Sequence, residues 1–436
     1  MNSPKPTHVR WRILTAVMLM TFLTYVDRLN LSIAGQAMQH ELAISTQAMG
    51  WLFSAFLLGY ALLQIPGGWL ADKYGGRIVL FTAVLWWSAF TALTALAPNL
   101  PLARWFSIVW SFAIIRFLVG AGEAASQPSI NKIVAAWTGT SHRGIGSSFS
   151  IVGIGLGGAT TPVLIAWVMQ RWGWRSSFFI AGAIGIAAAI IWRWYVTDRP
   201  DQHPSVNAAE LELIRQRQSA PRPDAHEQQI RTPWKRILTR PSIWSLCIAY
   251  FCQGFPIYFF HTWFFIYLVN FRGLSITRGS FFGSLPYIAI VCLVPLGGLF
   301  SDFAVKRFSK RRGRHLAIAA GMLPSAALLW AGSHTTNNAL AISFLAAGAG
   351  FNLFAAVSFW AICIDLTTEL TGSVSALMNT FGNLGGWLSP IVTGYLAARY
   401  GWGRALLCVS IVTLGSALFA MFIRPDESLD TTAQEI

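Results

Sequence analysis

Four charged side chains lie well inside otherwise apolar stretches of the sequence. Asp27 and Arg28 are adjacent in one stretch, and Arg116 and Glu123 lie seven residues apart in another. Seven residues are nearly two helical turns, so a helix would place Arg116 and Glu123 on one face. A charge at the centre of a bilayer costs roughly 2.5–3.5 kcal/mol and usually serves a function. Two acids and two bases can bind an anion and exchange protons, although a purely structural ion network is the alternative.

The residues around these charges are those of a membrane protein. Of the 436 residues, 54% are hydrophobic and only 11% are charged, whereas a soluble domain carries about 25% charged residues. The apolar residues fall into blocks of about 20, the length of a helix that crosses a bilayer. Twelve blocks are predicted as membrane-spanning helices: 13–35, 49–71, 78–98, 104–136, 145–169, 176–197, 241–269, 279–303, 315–333, 339–364, 373–398 and 403–423.

The distribution of positive charge predicts the orientation. Of the 32 Lys and Arg residues, 22 lie in segments on the same side as the N-terminus, seven lie in the opposite loops and three lie within spans. Positive residues collect on the cytoplasmic side of membrane proteins, so both termini are predicted to be cytoplasmic. The net charge of +15 belongs to these loops, and no nucleic-acid partner is expected.

A polar stretch between the sixth and seventh spans divides the chain, and residues 207–218 within it are predicted as an amphipathic surface helix. An internal repeat supports two related halves, because residues 155–162 resemble residues 383–390. Parallel repeats predict a binding site near mid-membrane where the halves meet, and rocking of one half against the other. The predicted domains are a six-helix half at 1–197, a cytoplasmic linker at 198–240, and a six-helix half with a cytoplasmic tail at 241–436.

The loop after the second span carries a recognisable pattern. Gly68, Asp72, Gly75 and Arg77 fit G-x-x-x-D-x-x-G-x-R, which resembles the loop signature of the major facilitator superfamily. The glycines permit a tight turn. Asp72 and Arg77 are predicted to latch one conformation, with Asp302 at the corresponding place in the second half. An ordinary charged turn is the alternative.

Further segments extend the resemblance over almost the whole chain. Tyr25-Val-Asp27-Arg28-x-Asn30 and Gly120-Ala-Gly-Glu123 resemble the anion:cation symporter family, and most closely its bacterial galactonate and glucarate carriers. The resemblance implies an all-α integral membrane protein of twelve spans in the bacterial inner (cytoplasmic) membrane. It implies the import of a small organic anion, such as an aldonate or aldarate, by a monomer. Protons are the implied coupling ion, with no other cofactor.

The resemblance also assigns roles to single residues. Asp27 and Glu123 are implied as the proton-coupling acids, with Arg116 tuning them. Neutralising Asp27 is expected to free Arg28 for the substrate carboxylate. The further candidate substrate contacts are Tyr25, Tyr60, Asn379, Ser358, His261 and Trp263.

Two positions leave the substrate open. The galactonate carriers have a Gln in the fifth span where this chain has Gly153, so a smaller or more aromatic carboxylate is an alternative to a sugar acid. His261 lies in an aromatic run, and a packed histidine bonded to a neighbour is the alternative to a substrate contact or proton relay.

Other functions compete with anion import. A proton antiporter that exports organic compounds would share the loop signature, but Gly157 is not followed by the Pro that drug antiporters often have there. A membrane enzyme is disfavoured because no HExxH, P-loop or Ser/His/Asp pattern occurs, and the five cysteines lack metal-ligand spacing. The intramembrane acids disfavour a scaffold or receptor without transport. Coupling to Na⁺ instead of protons stays open.

Overall fold

The computed structural model describes residues 5–138, 143–216, 237–367 and 371–426. Within these ranges the regular elements are helices, and no strand occurs. The prediction of an all-α protein is confirmed. The α-helices up to the linker are α1 (Val9–Leu42), α2 (Thr46–Tyr74), α3 (Gly76–Thr94), α4 (Pro101–Trp105), α5 (Ile108–Glu123), α6 (Ser126–Trp137), α7 (Arg143–Tyr195) and α8 (Ala208–Gln216). Those that follow are α9 (Pro241–Thr262), α10 (Phe264–Ile266), α11 (Ile276–Gly283), α12 (Leu285–Arg307), α13 (Lys310–His334), α14 (Asn338–Leu366), α15 (Thr371–Tyr400) and α16 (Trp402–Ala420).

Ten helical segments in the described part of the chain are long and apolar enough to cross a membrane. Each of the twelve predicted spans falls on a helix or on consecutive helices. Two of them, 145–169 and 176–197, fall on the 53-residue α7, which is kinked at Gly173 (φ 77°, ψ 167°). The predicted span 373–398 falls on α15, which has 30 residues but is not among the ten. The architecture is therefore a multi-span helical membrane protein.

The helices form two compact units that are not continuous in sequence. The first consists of Met1–Ala37 and Ala55–Gln228, and the second of Met38–Ser54 and Gln229–Ile436. The second unit thus includes a segment that the predicted division placed with the first half.

Close backbone packing joins α2 and α5 within the first unit. A Cβ atom added to Gly120 would lie 2.0 Å from the carbonyl oxygen of Phe56, and one added to Gly59 would lie 2.1 Å from that of Phe117. Small residues at such positions allow two membrane helices to approach closely. Glu123 follows Gly120 by nearly one turn, so it belongs to the part of α5 that is held against α2.

The turn between α2 and α3 depends on Gly75, which has φ 92°. A side chain would be strained in this left-handed conformation, and a Cβ atom would lie 2.7 Å from Oδ2 of Asp198. Oδ1 of Asp198 accepts a hydrogen bond from the main-chain N–H of Arg77 at 2.9 Å. The first unit therefore closes this turn with a carboxylate from the start of the linker.

The linker helix α8 holds the beginning of α1. The carboxylate of Glu210 accepts hydrogen bonds from the hydroxyl of Thr7 and from the main-chain N–H groups of Val9 (3.0 Å) and Arg10 (3.1 Å). Glu210 is fully buried, as is Ile214. The predicted surface helix at 207–218 corresponds to α8, and residues 217–218 lie outside the described ranges.

Candidate functional site

The charged residues singled out in the sequence come together in the first unit. Helix α1 carries Asp27 and Arg28, and α5 carries Arg116 and Glu123 on one buried face. Asp27 is 3% exposed, Arg116 2% and Glu123 0%. The predicted sharing of one helix face by Arg116 and Glu123 is what the structure has.

Arg28 forms an ion pair with Glu123, in which its Nε lies 2.5 Å from Oε1. The guanidinium also lies over the rings of Tyr60, Phe56 and Tyr25, with its Cζ 4.7, 5.5 and 5.7 Å from the ring centroids. Aromatic faces stabilise a cation that has left water. The side chain of Arg28 nevertheless remains 15% exposed, so a ligand has access to this cation.

Asp27 has a different partner from the one expected. Its Oδ2 accepts a hydrogen bond from the indole N–H of Trp87 on α3 at 3.0 Å. Arg28 is paired with Glu123 instead. Adjacent residues on a helix do not face each other, which explains why Asp27 and Arg28 point to different neighbours.

Several buried polar atoms in this cluster have no hydrogen-bond partner among the described residues. They are Oδ1 of Asp27, Oε2 of Glu123, and Nε and Nη1 of Arg116. Arg116 instead lies with its Cζ 5.1 Å from the ring centroid of Phe56, within electrostatic range of both acids. Buried polar atoms without partners are uncommon in native proteins. The cluster thus retains binding capacity for a proton, a water molecule or a ligand oxygen.

Gly153 lies at a contact between α7 and α1. A Cβ atom there would lie 2.1 Å from Oγ1 of Thr21 and 2.3 Å from the carbonyl oxygen of Met18. A glutamine at this position would require α1 to move. The absence of a side chain at 153 is therefore built into the packing of the first unit.

The predicted contacts of the second unit have varied surroundings. Ser358 is fully buried and donates a hydrogen bond to Ser301 at 3.0 Å. Trp263, also fully buried, donates its indole N–H to the carbonyl oxygen of Pro390 at 3.0 Å. Asn379 lies on α15 and is half-buried.

His261 is half-buried at the end of α9. Its Nδ1 lies 3.4 Å from the hydroxyl of Tyr287, and its ring centroid lies 5.3 Å from that of Tyr258. A histidine bonded to a tyrosine in this way can accept or donate a proton depending on its tautomer. The geometry is compatible with either interpretation of His261 that the sequence left open.

The residues of the predicted latch contact separate partners. Lys132 lies 3.7 Å from a carboxylate oxygen of Asp72, whose side chain is 85% exposed. Arg77 donates to the carbonyl oxygen of Arg193. In the second unit, Asp302 lies 3.5 Å from Arg314 and is 73% exposed.

Two hydrogen-bonded sets of polar residues in the second unit were not predicted from the sequence. Gln253 on α9 donates to Oδ1 of Asn352 on α14 at 2.8 Å, and both are buried. Arg314 donates to Asp365 at 2.8 Å and to Ser301 at 2.7 Å. A Gln and an Asn at the centres of apolar spans were visible signals, but nothing in the sequence paired them.

A metal site finds no support in the described residues, where no group of three or more His, Cys, Asp or Glu side chains could hold an ion. The five cysteines are free thiols.

The structure is that of a multi-span membrane protein with a buried set of acids and bases. Residues 17–390 match the Major Facilitator Superfamily, and the chain belongs to this family of transporters and is not an enzyme. It is 34% identical to the probable galactarate/D-glucarate transporter GudP of Bacillus subtilis (strain 168), over 99% of this chain and 95% of that protein. It is 31% identical to the probable sulfoacetate transporter SauU of Cupriavidus necator, over 97% and 95%.

A solved structure shares the fold. The crystal structure of a bacterial homologue of the human lysosomal transporter Spinster, inward-facing and unoccupied, has a TM-score of 0.77. The match covers 97% of this chain and 98% of that chain at 19% identity. This likeness supports the major facilitator fold, while the relatives of higher identity carry the resemblance to sugar-acid transporters.

Proposed function

We propose that the chain imports a small organic anion by proton symport through alternating access. The substrate class is a sugar acid, an aldonate or aldarate, or a related small carboxylate. The observation that carries the proposal is the Arg28 guanidinium, which is ringed by aromatic side chains, is partly exposed and is paired with the buried Glu123. The relatives named as galactarate/D-glucarate and sulfoacetate transporters support the anionic substrate.

The ion pair suggests how proton and anion are coupled. With Glu123 ionised, the positive charge of Arg28 is neutralised within the protein. A proton on Glu123 removes the negative partner and leaves Arg28 to bind the substrate carboxylate, as a charge-assisted hydrogen bond. Release of the proton on the cytoplasmic side restores the ion pair and displaces the anion. In this proposal Glu123, and not Asp27 as expected from the sequence, competes with the substrate carboxylate for Arg28.

Asp27 and Arg116 complete the charge balance. With both acids ionised, the four charges of the cluster sum to zero. An uncompensated buried charge is costly. A proton alone leaves an excess positive charge and a substrate alone an excess negative charge, so both half-loaded states are disfavoured during reorientation. Asp27 is proposed as the second proton-coupling acid, and Arg116 as the cation that favours its ionised form.

The remaining contacts are proposed for the rest of the substrate. Tyr25 and Tyr60 lie against Arg28 and are proposed to hydrogen-bond substrate oxygens. Asn379 and His261 are half-buried and are proposed for substrate hydroxyl or carboxyl groups. Ser358 and Trp263 would first have to give up their bonds to Ser301 and Pro390, so their contribution requires a rearrangement of the second unit. Asp72, Arg77 and Asp302 remain the proposed latch.

The setting follows from the same proposal. The chain is proposed to lie in a bacterial inner membrane, which supplies an inward proton gradient. Its Lys and Arg residues favour a cytoplasmic position for both termini. One pH unit supplies about 1.4 kcal/mol per proton, and a charge crossing 100 mV gains about 2.3 kcal/mol. The carrier is proposed to act as a monomer.

Uptake into proteoliposomes tests the proposal. Labelled D-glucarate, galactarate, D-galactonate, sulfoacetate and an aromatic carboxylate are offered under imposed pH and voltage gradients. We expect one class to accumulate with an inward proton gradient. Asp27→Asn and Glu123→Gln should lose accumulation while keeping exchange of labelled for unlabelled substrate, because exchange needs no net proton movement.

The control variant is Glu212→Gln, which makes the same chemical change at an exposed position of α8. It should accumulate substrate as the wild type does. Normal accumulation by both acid variants would overturn the proton roles. Efflux driven by the inward proton gradient would instead establish the exporter, and accumulation that follows a Na⁺ gradient would replace the coupling ion.

A further inference from the structure

Trp87 lies opposite Asp27 and makes the two carboxylate oxygens different. Its side chain is fully buried, and its Nε1 donates to Oδ2 of Asp27 at 3.0 Å. Oδ1 of the same carboxylate has no hydrogen-bond partner among the described residues. An indole N–H can donate a hydrogen bond but cannot accept one.

The donor-only character of Trp87 decides where a proton can sit. A proton on Oδ2 would take one of its lone pairs and leave it a weaker acceptor for the indole N–H of Trp87. A proton on Oδ1 leaves the bond from Trp87 intact. The hydrogen bond from Trp87 therefore favours the neutral form of Asp27 that carries its proton on Oδ1.

Thr91 is suited to bond Oδ1 in both protonation states of Asp27. It lies one turn beyond Trp87 on α3, so both side chains are on the same face, and it is a neighbour of the Asp27 carboxyl. Its hydroxyl oxygen is buried without a hydrogen-bond partner. A hydroxyl can donate to an ionised Oδ1 and accept from a protonated one, so Thr91 can serve both states of the acid.

The other charged groups around Asp27 do not make this distinction. Arg28 follows it on α1, and Arg116 and Glu123 face it from α5. Ser177 on α7 donates a hydrogen bond to Asn30, which lies near Asp27 in the sequence of α1. Neither residue titrates. The charged groups set how readily Asp27 is protonated, whereas α3 sets which oxygen receives the proton.

We propose that Trp87 is a positioning residue for proton coupling: it holds Oδ2 of Asp27 so that the coupled proton is taken up and released at Oδ1, beside Thr91. The inference rests on the proposed role of Asp27 as a coupling acid. It adds two residues of α3 to that role: Trp87, which only donates, and Thr91, which can donate or accept.

The test compares the pH dependence of uptake in Trp87→Phe and Trp86→Phe. Trp87→Phe keeps an aromatic ring in the core but removes the hydrogen bond that favours the ionised carboxylate. The protonated form then persists to higher pH, and the alkaline limb of the uptake profile should move up by about one pH unit. Trp86→Phe removes an indole N–H from the neighbouring residue, which donates to the carbonyl oxygen of Leu118 at 2.9 Å. Its profile should match the wild type.

Thr91→Val tests whether the two carboxylate oxygens of Asp27 have different roles. Because Thr91 serves both protonation states, its loss should slow proton-driven accumulation several-fold and leave the midpoint of the pH profile in place. An equal alkaline shift in Thr91→Val and Trp87→Phe would show that the oxygens are equivalent and would overturn the assignment.

A further variant distinguishes failure of this inference from failure of the proposed function. If Asp27→Asn uncouples transport but Trp87→Phe keeps the wild-type profile, the positioning role falls and the coupling role stands. If Asp27→Asn accumulates substrate normally, both fall. Should Trp87→Phe purify but not transport, the infrared band of the protonated carboxyl, identified by its loss in Asp27→Asn, is titrated instead, and an unmoved titration overturns the inference.

Discussion

Removal of the Glu210 carboxylate should destabilise the start of the helix that carries the site. The first N–H groups of a helix have no partner within the helix, and Glu210 accepts from two of them in α1, at Val9 and Arg10. The hydroxyl of Thr7 donates to the same carboxylate. A negative charge at a helix N-terminus also interacts favourably with the helix dipole.

The size of the effect follows from these contacts. Loss of an N-terminal capping side chain costs about 0.5–2 kcal/mol, and a hydrogen bond to a charged group contributes about 1.5–3 kcal/mol. The contacts share one carboxylate and are not additive, so Glu210→Ala should lower the free energy of unfolding by about 2–3 kcal/mol. Glu210→Gln keeps one acceptor oxygen and should lower it by about 1 kcal/mol.

Thermal unfolding in detergent measures the difference. At about 2–4 °C per kcal/mol for units of 150–250 residues, Glu210→Ala should lower Tm by about 5–10 °C. Glu212→Ala, two residues along the same helix and exposed, is the control and should change Tm by less than about 2 °C. Equal Tm values for the two alanine variants would refute the capping role of Glu210.

The pH dependence provides an independent check. Burial alone would raise the pKa of Glu210, but the hydrogen bonds from Thr7, Arg10 and Val9 and the charge of Arg10 outweigh it and hold the pKa below its usual value. The stabilisation is therefore fully present above the unfolded pKa of about 4.3 and is lost as the pH falls through the folded value. The Tm difference between wild type and Glu210→Gln should be constant near pH 7 and disappear in acid. A difference that persists below both pKa values would contradict the reasoning.

Two further stability predictions concern helix packing and a buried ion pair. Gly120→Ala should lower the free energy of unfolding by about 1–3 kcal/mol because its Cβ would lie 2.0 Å from a carbonyl oxygen of α2, whereas Gly403→Ala, with nothing within 4 Å, should have no destabilising effect in the same thermal assay. Asp365→Asn should cost about 1–3 kcal/mol because it removes the charged partner of Arg314, which is 11% exposed. Asp302→Asn, at a 73% exposed partner of the same Arg314, should change the unfolding free energy by less than about 1 kcal/mol. A larger loss for Asp302→Asn than for Asp365→Asn would reverse the assignment of the buried partner.

The spans were predictable because a bilayer imposes a length and a composition on each helix. The blocks of about 20 apolar residues all fall on helices, and four of the charges that interrupt them, those of Asp27, Arg28, Arg116 and Glu123, lie in one cluster. Helical periodicity alone placed Arg116 and Glu123 on the same face. The break predicted between the spans 145–169 and 176–197 contains Gly173, whose φ of 77° and ψ of 167° are not helical.

The partner of Arg28 could have been inferred better. Neighbouring residues on a helix point about 100° apart, so Asp27 and Arg28 are poorly placed to pair with each other. The sequence shows which residues are charged, but the close packing of Gly120 against Phe56 fixes how α5 is rotated, and the rotation decides whether Glu123 reaches Arg28. That contact depends on the rotation of two helices about their own axes, which the apolar pattern of a membrane span does not specify.

The same limit applies to Trp87 and Ser358. The chain has 20 Trp residues, and a Trp in a span is ordinarily explained by packing or by the membrane interface. Only the rotation of α3 places one indole N–H against Asp27 and directs its neighbour Trp86 to a main-chain carbonyl. The rotation of α14 likewise decides that Ser358 bonds to Ser301.

On the proposed mechanism, in which Asp27 and Glu123 take up the coupled protons, charge balance links the number of protons to the charge of the substrate. With Asp27 and Glu123 ionised, Arg28 and Arg116 make the cluster neutral, and each proton taken up leaves one uncompensated positive charge. A monoanion then restores neutrality after one proton, and a dianion after two. Because a buried unpaired charge is costly, a cluster with two acids and two bases can carry either class without leaving a net charge in the membrane. On the same mechanism, Arg28 receives the first carboxylate, and Arg116, whose Nε and Nη1 have no hydrogen-bond partner among the described residues, is proposed to receive the second once the other acid is neutralised.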